Sequence, residues 1–173
     1  AERVRNIRQW GCGEGWGTSY KITKPQAAVG SVQLARLDDT LALRAKRTHE
    51  RQALLEGIPD LELTYEPSDC DHTFYLNTLL VPKAWAGASR DALCALLLED
   101  YGVGTMVGNP PIWQDHPFIS QHIDGQQASL PVSTETALRL FCVSLHPQMT
   151  KQENEYIAAA LWDATERIRK EQL

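Results

Sequence analysis

Along the first 25 residues the apolar positions show no period, and glycine stands at every second place from Gly11 through Gly13 and Gly15 to Gly17. Glycine in that density interrupts both helix and strand, so a loop is expected there. From Pro25 to about Glu56 the pattern turns helical: Leu34, Leu37, Leu41 and Ala45 recur at spacings of three and four, with Asp38, Arg44, Lys46, Arg47 and Arg51 on other faces. Pro25 suits a first turn and Gly57 with Pro59 a stop. A run of that length exceeds an ordinary helix, which leaves open a break near Gly30 or a docking role in a larger fold.

Two strand-like stretches follow, Leu61 to Tyr65 and Thr73 to Val81, parted by the turn-forming Glu66, Pro67, Ser68 and Asp69, an arrangement that predicts antiparallel neighbours. Ser89 is expected to cap a helix with the stripe Leu93, Leu96, Leu97 and Tyr101, which Gly102 stops before an extended Val103 to Val107. Gly108 to Gln127 carries prolines, histidines and aromatics without period and reads as a long loop, the kind that usually has a function. Ser133 is read as the cap of a short helix over Ala137, Leu138 and Phe141. After a turn at His146 and Pro147, Thr150 and Glu153 form a capping box for a last helix, with Ile157, Leu161, Ala164 and Ile168 as its buried stripe.

The 173 residues, 43% hydrophobic and 23% charged, suffice for a domain with a core. Their formal charge of −5 lacks the basic surplus of a nucleic-acid footprint. No apolar run nears the ~20 residues that span a bilayer, and the N-terminal segment lacks a signal-peptide stretch, so neither membrane nor nucleic acid is an expected partner and the cytoplasm is the default location. Cys12, Cys70, Cys94 and Cys142 make no C-x-x-C pair and read as reduced thiols, Cys94 and Cys142 as packing residues and Cys12 as the exposed one.

Asp115, His116, His122 and Asp124 are chemically able to ligate a divalent ion, but their spacing fits no metal motif, and no metal is expected. No G-x-S-x-G elbow marks a hydrolase, and the glycine run matches neither the dinucleotide fingerprint nor the P-loop. Lys21 and Lys24, beside that loop, are suited to meet an anion; a solvated surface pair is the plain alternative.

Taken in order, ERVRNIRQWG, GTSYKITKPQAAVGSVQLARLDD, SRDALCALLLEDYGVGT and FCVSLHPQMTKQENEYIAAAL resemble the DegT/DnrJ/EryC1/StrS family of aminotransferases over nearly the whole chain. The family run G-x-N-Y-R-M-T-x-x-Q-A-A-I-G-x-x-Q-L-x-x-L-D is met by Gly17, Tyr20, Thr23, Gln26, Ala27, Ala28, Gly30, Gln33, Leu34, Leu37 and Asp38. The resemblance implies an α/β protein of the pyridoxal-phosphate transferase fold type I. Residues 1–25 would be the end of its large domain with a subunit-crossing loop, 26–57 a long linking helix, and 58–173 a small C-terminal α+β domain. It implies pyridoxal 5′-phosphate as cofactor, with Ser19, Tyr20 and Lys21 as candidates to reach its phosphate in a neighbouring subunit. In the substrate loop, family members acting on sugars often read G-V-H-Y-x-x-x-x-H; here Gly108, Asn109 and Gln114 stand across those places and both histidines are missing. Asn109, Trp113, Gln114 and His116 are the expected lining of an altered substrate pocket.

In the family the Schiff-base lysine, the acid paired with the pyridinium nitrogen and the ring-stacking group precede the stretch that this chain resembles. Lys21, Lys46, Lys83 and Lys151 lack the Schiff-base context, so no catalytic residue is expected here, and the chain alone is not expected to transaminate. A piece of a longer polypeptide completed by an N-terminal half is the favoured reading, beside a natural half-enzyme and a remnant without catalysis. The completed homodimer would take amino groups from glutamate or glutamine to a keto-sugar, cyclic ketone or other carbonyl in secondary-metabolite or polysaccharide biosynthesis. The rivals are a non-catalytic ligand-binding or partner domain and a pyridoxal-phosphate dehydratase.

Overall fold

A computed structural model describes residues 2–8, 15–18, 21–108, 117–122 and 129–171. Contacts divide the chain into two compact units, Ala1–Asp39 and Thr40–Leu173.

The first unit holds helix α1 (Glu2–Arg8) and helix α2 (Lys24–Ala35), neither of which buries a residue within it. Gly15 to Thr18 carry no regular structure, as the glycine spacing predicts, and Thr18 N–H donates to the Ile7 carbonyl at 2.7 Å. Helix α2 starts with a full capping box: Gln26 N–H donates to Thr23 Oγ1 at 3.4 Å, and Thr23 N–H donates to Gln26 Oε1 at 3.0 Å. The break expected near Gly30 lies instead at Arg36, whose N–H donates to Gln33 O at 3.2 Å in a tightened last turn. Helix α3 (Leu37–Leu54) follows at once.

The expected apolar stripe is corrected by the structure. Leu34 and Leu37 are exposed, whereas Thr48, Arg51 and, just past the helix, Leu55 are buried.

The second unit is an α+β layer. Strands β1 (Glu62–Leu63), β2 (Asn77–Leu80), β3 (Thr105–Met106) and β4 (Leu140–Val143) form an antiparallel sheet in the order β1-β2-β4-β3. The predicted pairing of the first two is present, with Glu62 opposite Leu80 and Leu63 opposite Leu79, over shorter spans than expected. Residues before Asn77 leave the ladder because Arg44 Nη1 claims the carbonyls of Phe74 and Tyr75, at 3.3 and 3.0 Å, and Phe74 sits at φ 45°.

The short helix expected over Ala137 to Phe141 is really helix α6 (Pro131–Arg139), with helix α5 (Pro117–His122) before it, and Phe141 belongs to the central strand β4. Ser133 lies inside α6 and does not cap it. Four apolar residues directly after a helix have no periodicity of their own, so only pairing with both β2 and β3 makes them a strand.

Helix α4 (Ala88–Tyr101) begins at Gly87, not at a Ser89 cap, and ends as predicted at Gly102 in the left-handed conformation, φ 64°. Helix α7 (Lys151–Glu171) carries the predicted capping box and packs on α4, burying Ile157, Leu161, Ala164 and Ile168. Leu79, Phe141 and Val143 alternate toward these helices and join Leu93, Leu97 and Leu161 in one core.

Candidate functional site

Of the candidates for the cofactor phosphate, Ser19 and Tyr20 lie outside the described residues. Lys21 is exposed two positions before the Thr23 cap and has no ion-pair partner among the described residues. The first turn of α2 holds Lys24 and no acidic residue. The positive end of a helix dipole favours an anion over a cation. Thr23 already takes the Gln26 N–H, and an ammonium such as that of Lys21 is chemically suited to a phosphate. The charge of Lys21 and Lys24 is compatible with the phosphate end of pyridoxal phosphate.

The substrate-loop candidates Asn109, Trp113, Gln114 and His116 all lie outside the described residues. Gly108, the last described residue before them, is buried two residues beyond β3. Of the residues weighed as metal ligands, Asp115, His116 and Asp124 are likewise not described. His122 Nδ1 engages the Phe118 carbonyl at 2.6 Å, its ring 4.3 Å from that of Phe118. No group of metal-ligating side chains forms among the described residues. Cys12 is not described; Cys70 is exposed, Cys94 half-buried and Cys142 buried, and burial raises the Cys94 thiol pKa.

Sequence reasoning missed two polar clusters. The first is built on Arg51, fully buried, although the pattern places it off the core face. Its Nε donates to Asn154 Oδ1 at 2.7 Å, its Nη1 to Asn77 Oδ1 at 2.9 Å and to the Ser144 carbonyl at 2.8 Å, and its Nη2 reaches Met149 Sδ at 3.1 Å. No carboxylate pairs with it among the described residues, and burial pulls its pKa down to about 10, which keeps it protonated at neutral pH. The signal was spacing: Arg51 is three residues after Thr48 and four before Leu55, both buried, and its charge hid the periodicity. Arg90 and Arg139 are buried too, but each has an acidic neighbour, Asp91 for the first and Glu62 with Glu135 for the second.

The second cluster lines a cleft of about 510 Å³ between α3 and the turn after β1. Glu66 accepts the His72 N–H at 2.7 Å and meets His49 Nε2 at 2.9 Å, and the two contacts hold its carboxyl below the usual range. His72 Nδ1 accepts the Phe74 N–H at 2.8 Å. These bonds tie the turn down.

Among known proteins, the spore coat polysaccharide biosynthesis protein SpsC of Bacillus subtilis (strain 168) is 28% identical over 138 residues, which are 80% of this chain and 35% of SpsC. The Helicobacter pylori PseC structure, an aminotransferase involved in the biosynthesis of pseudoaminic acid, superposes with a TM-score of 0.84 at 15% identity, over 96% of this chain and 46% of PseC. NtdA from Bacillus subtilis, solved with its bound cofactor PMP, gives a TM-score of 0.75 at 20% identity, over 88% of this chain and 34% of NtdA. The chain thus spans less than half the length of each of these relatives. The fold is that of the pyridoxal-phosphate transferases of fold type I, here as one part of it. Residues 1–162 match the DegT/DnrJ/EryC1/StrS aminotransferase family, to which the chain belongs and whose cofactor is pyridoxal 5′-phosphate.

Proposed function

We propose that this chain is the C-terminal part of a pyridoxal-phosphate aminotransferase that moves an amino group from glutamate or glutamine to a keto-sugar, cyclic ketone or other carbonyl acceptor. When bound, the cofactor supplies the electron sink that such a transfer needs. The Schiff-base lysine comes from an N-terminal half, so the chain alone is inactive. Residues 1–25 close the large domain and cross to the other subunit of a homodimer, 26–57 link, and 58–173 form the small domain. Lys21, with Ser19 and Tyr20 beside it, holds the cofactor phosphate. Asn109, Trp113, Gln114 and His116 line the acceptor pocket, whose two missing histidines set it apart from the usual nucleotide-sugar site. The cytoplasm is its place of action.

The observation that carries this reading is Lys21, an exposed cation without an acidic partner among the described residues, just ahead of a helix start that has no acid in its first turn. Family membership and the trades of SpsC and PseC, polysaccharide and pseudoaminic acid biosynthesis, support the substrate class.

The test uses the full-length polypeptide. Borohydride reduction followed by intact-mass and peptide analysis should place a pyridoxyl adduct on a lysine outside these 173 residues. Lys21→Ala should weaken cofactor binding about tenfold, the order expected for one charge-assisted contact, with donor and acceptor KM little changed. No adduct anywhere would move the reading to a non-catalytic ligand-binding domain, and an unchanged cofactor affinity would remove Lys21 from the phosphate site.

A further inference from the structure

Phe74 is fully buried and yet sits at φ 45°, in the left-handed region that a bulky side chain rarely adopts. Such a conformation persists only where its surroundings over-determine it, and here three holds do so. Arg44 Nη1, from α3, donates to the Phe74 and Tyr75 carbonyls at 3.3 and 3.0 Å. The Phe74 N–H donates to His72 Nδ1 at 2.8 Å. The Phe74 ring meets two imidazoles, T-shaped with His49 at 5.3 Å and tilted against His72 at 4.4 Å.

One of these holds depends on a proton. A backbone N–H can only donate, so His72 Nδ1 is the acceptor and carries no hydrogen, which leaves the hydrogen of the neutral ring on Nε2. His72 is exposed, and histidine is the side chain that ordinarily changes charge between about pH 5 and 8. A protonated Nδ1 becomes a donor and can no longer take the Phe74 N–H. An acceptor is at hand: the Glu66 carboxylate already takes the His72 backbone N–H at 2.7 Å and meets His49 Nε2 at 2.9 Å, and a carboxylate has lone pairs for about four such bonds. Asp71, in the wall of the same cleft, adds to the attraction for a cation, whereas Arg44 and His49, both on α3, oppose it. Cys70 is the other titratable group lining that cleft. The same nitrogen thus has two alternative partners, an N–H when bare and a carboxylate when protonated.

We infer that His72 is a proton-operated latch on this turn: unprotonated, its Nδ1 holds Phe74 in the left-handed conformation, and protonated, it turns to Glu66 and releases the Phe74 backbone. What the latch sets is where β2 begins. With Phe74 at φ 45° and its carbonyl on Arg44, the chain pairs with β4 only from Asn77 onward. Tyr75 is left 78% exposed, in the wall of a cleft of about 390 Å³ that it shares with Leu76, Thr105, Met106 and Ser144. Release lets residues 74 and 75 relax toward the extended backbone of the strand that follows them.

The experiment uses the full-length polypeptide and follows hydrogen exchange at the Phe74 amide, by mass spectrometry with single-residue fragmentation, as protection over the unstructured rate at each pH. Between about pH 8 and pH 5 the parent should lose roughly fivefold in protection, the order of one hydrogen bond between neutral groups. His72→Asn keeps an acceptor two residues before the same N–H, as in an Asx turn, and does not titrate, so its protection should stay within about twofold over that range. His72→Ala has no acceptor and should be weakly protected at both ends. His49→Gln removes the other imidazole and should leave the pH dependence in place.

Equal protection of the parent at both ends of the range overturns the latch. So does a parental loss in His72→Asn, which moves the titration to another group, or full protection in His72→Ala, which takes the acceptor role from His72. Disappearance of the pH dependence in His49→Gln assigns the switch to the His49–Glu66 contact instead. Far-UV circular dichroism checks that each variant is folded, and if His72→Ala is not, the contrast between the parent and His72→Asn decides alone.

Discussion

Replacing Arg51 by methionine removes a cation from the interior while keeping an unbranched side chain of similar length. The variant leaves three oxygen acceptors without their donor: Asn154 Oδ1, Asn77 Oδ1 and the Ser144 carbonyl, now held at 2.7, 2.9 and 2.8 Å. Bonds from a charged donor are worth about 1.5–3 kcal/mol each, which sums to roughly 4.5–9 kcal/mol. The guanidinium no longer has to shed its water, which offsets several kcal/mol, so a net loss of about 3–5 kcal/mol is expected. That is a large share of the ~5–15 kcal/mol that holds an ordinary domain together. With a urea m-value of about 2 kcal/mol/M, the midpoint should fall by roughly 2 M at unchanged m, followed by far-UV circular dichroism. Arg51→Lys, which keeps the charge but not the fork of donors, should fall between the two. A midpoint shift below about 0.5 M for the methionine variant would refute the view that this guanidinium ties α3 to β2 and α7.

Three further outcomes are expected. Thr150→Ala removes the Oγ1 that accepts the Glu153 N–H at 3.1 Å and should cost about 1 kcal/mol in urea unfolding, against little or no change for exposed Ser31→Ala within α2. Gly102→Ala places a side chain at φ 64° and should destabilise by about 1 kcal/mol by the same measurement, although no atom lies within 4 Å of the new Cβ. Glu66 has its carboxyl lowered first by the His72 N–H and then by His49. Its stabilisation is therefore present above the unfolded carboxyl value of 4.5 and is lost as pH falls through its lower folded value. Glu66→Gln should accordingly lose less stability than the parent on titration from about pH 5 to pH 3, and parallel pH profiles would count against these contacts.

The capping boxes, the stripe of α7, the Gly102 stop and the β1–β2 pairing were legible because each rests on residues near in sequence. Thr150 reaches Glu153 three positions away, and Ile157, Leu161, Ala164 and Ile168 mark one face by period alone. The Thr23 and Gln26 box was equally legible and went unread. By contrast, Leu140 to Val143 look like the tail of a helix until β2 and β3 flank them, and only that pairing makes them the central strand.

The family likeness was readable in the run from Gly17 to Asp38, since motif identity needs no coordinates. Burial of charge was not. Whether Arg51 sits in water or among Asn77, Ser144, Met149 and Asn154 depends on residues 26 to 103 positions away, and helical period alone cannot weigh a desolvation cost against hydrogen bonds supplied from so far along the chain. The same holds for Gly108. In the sequence it ends an extended run. In the fold its missing Cβ is the space that Leu140 occupies, a fact of packing that no local pattern encodes.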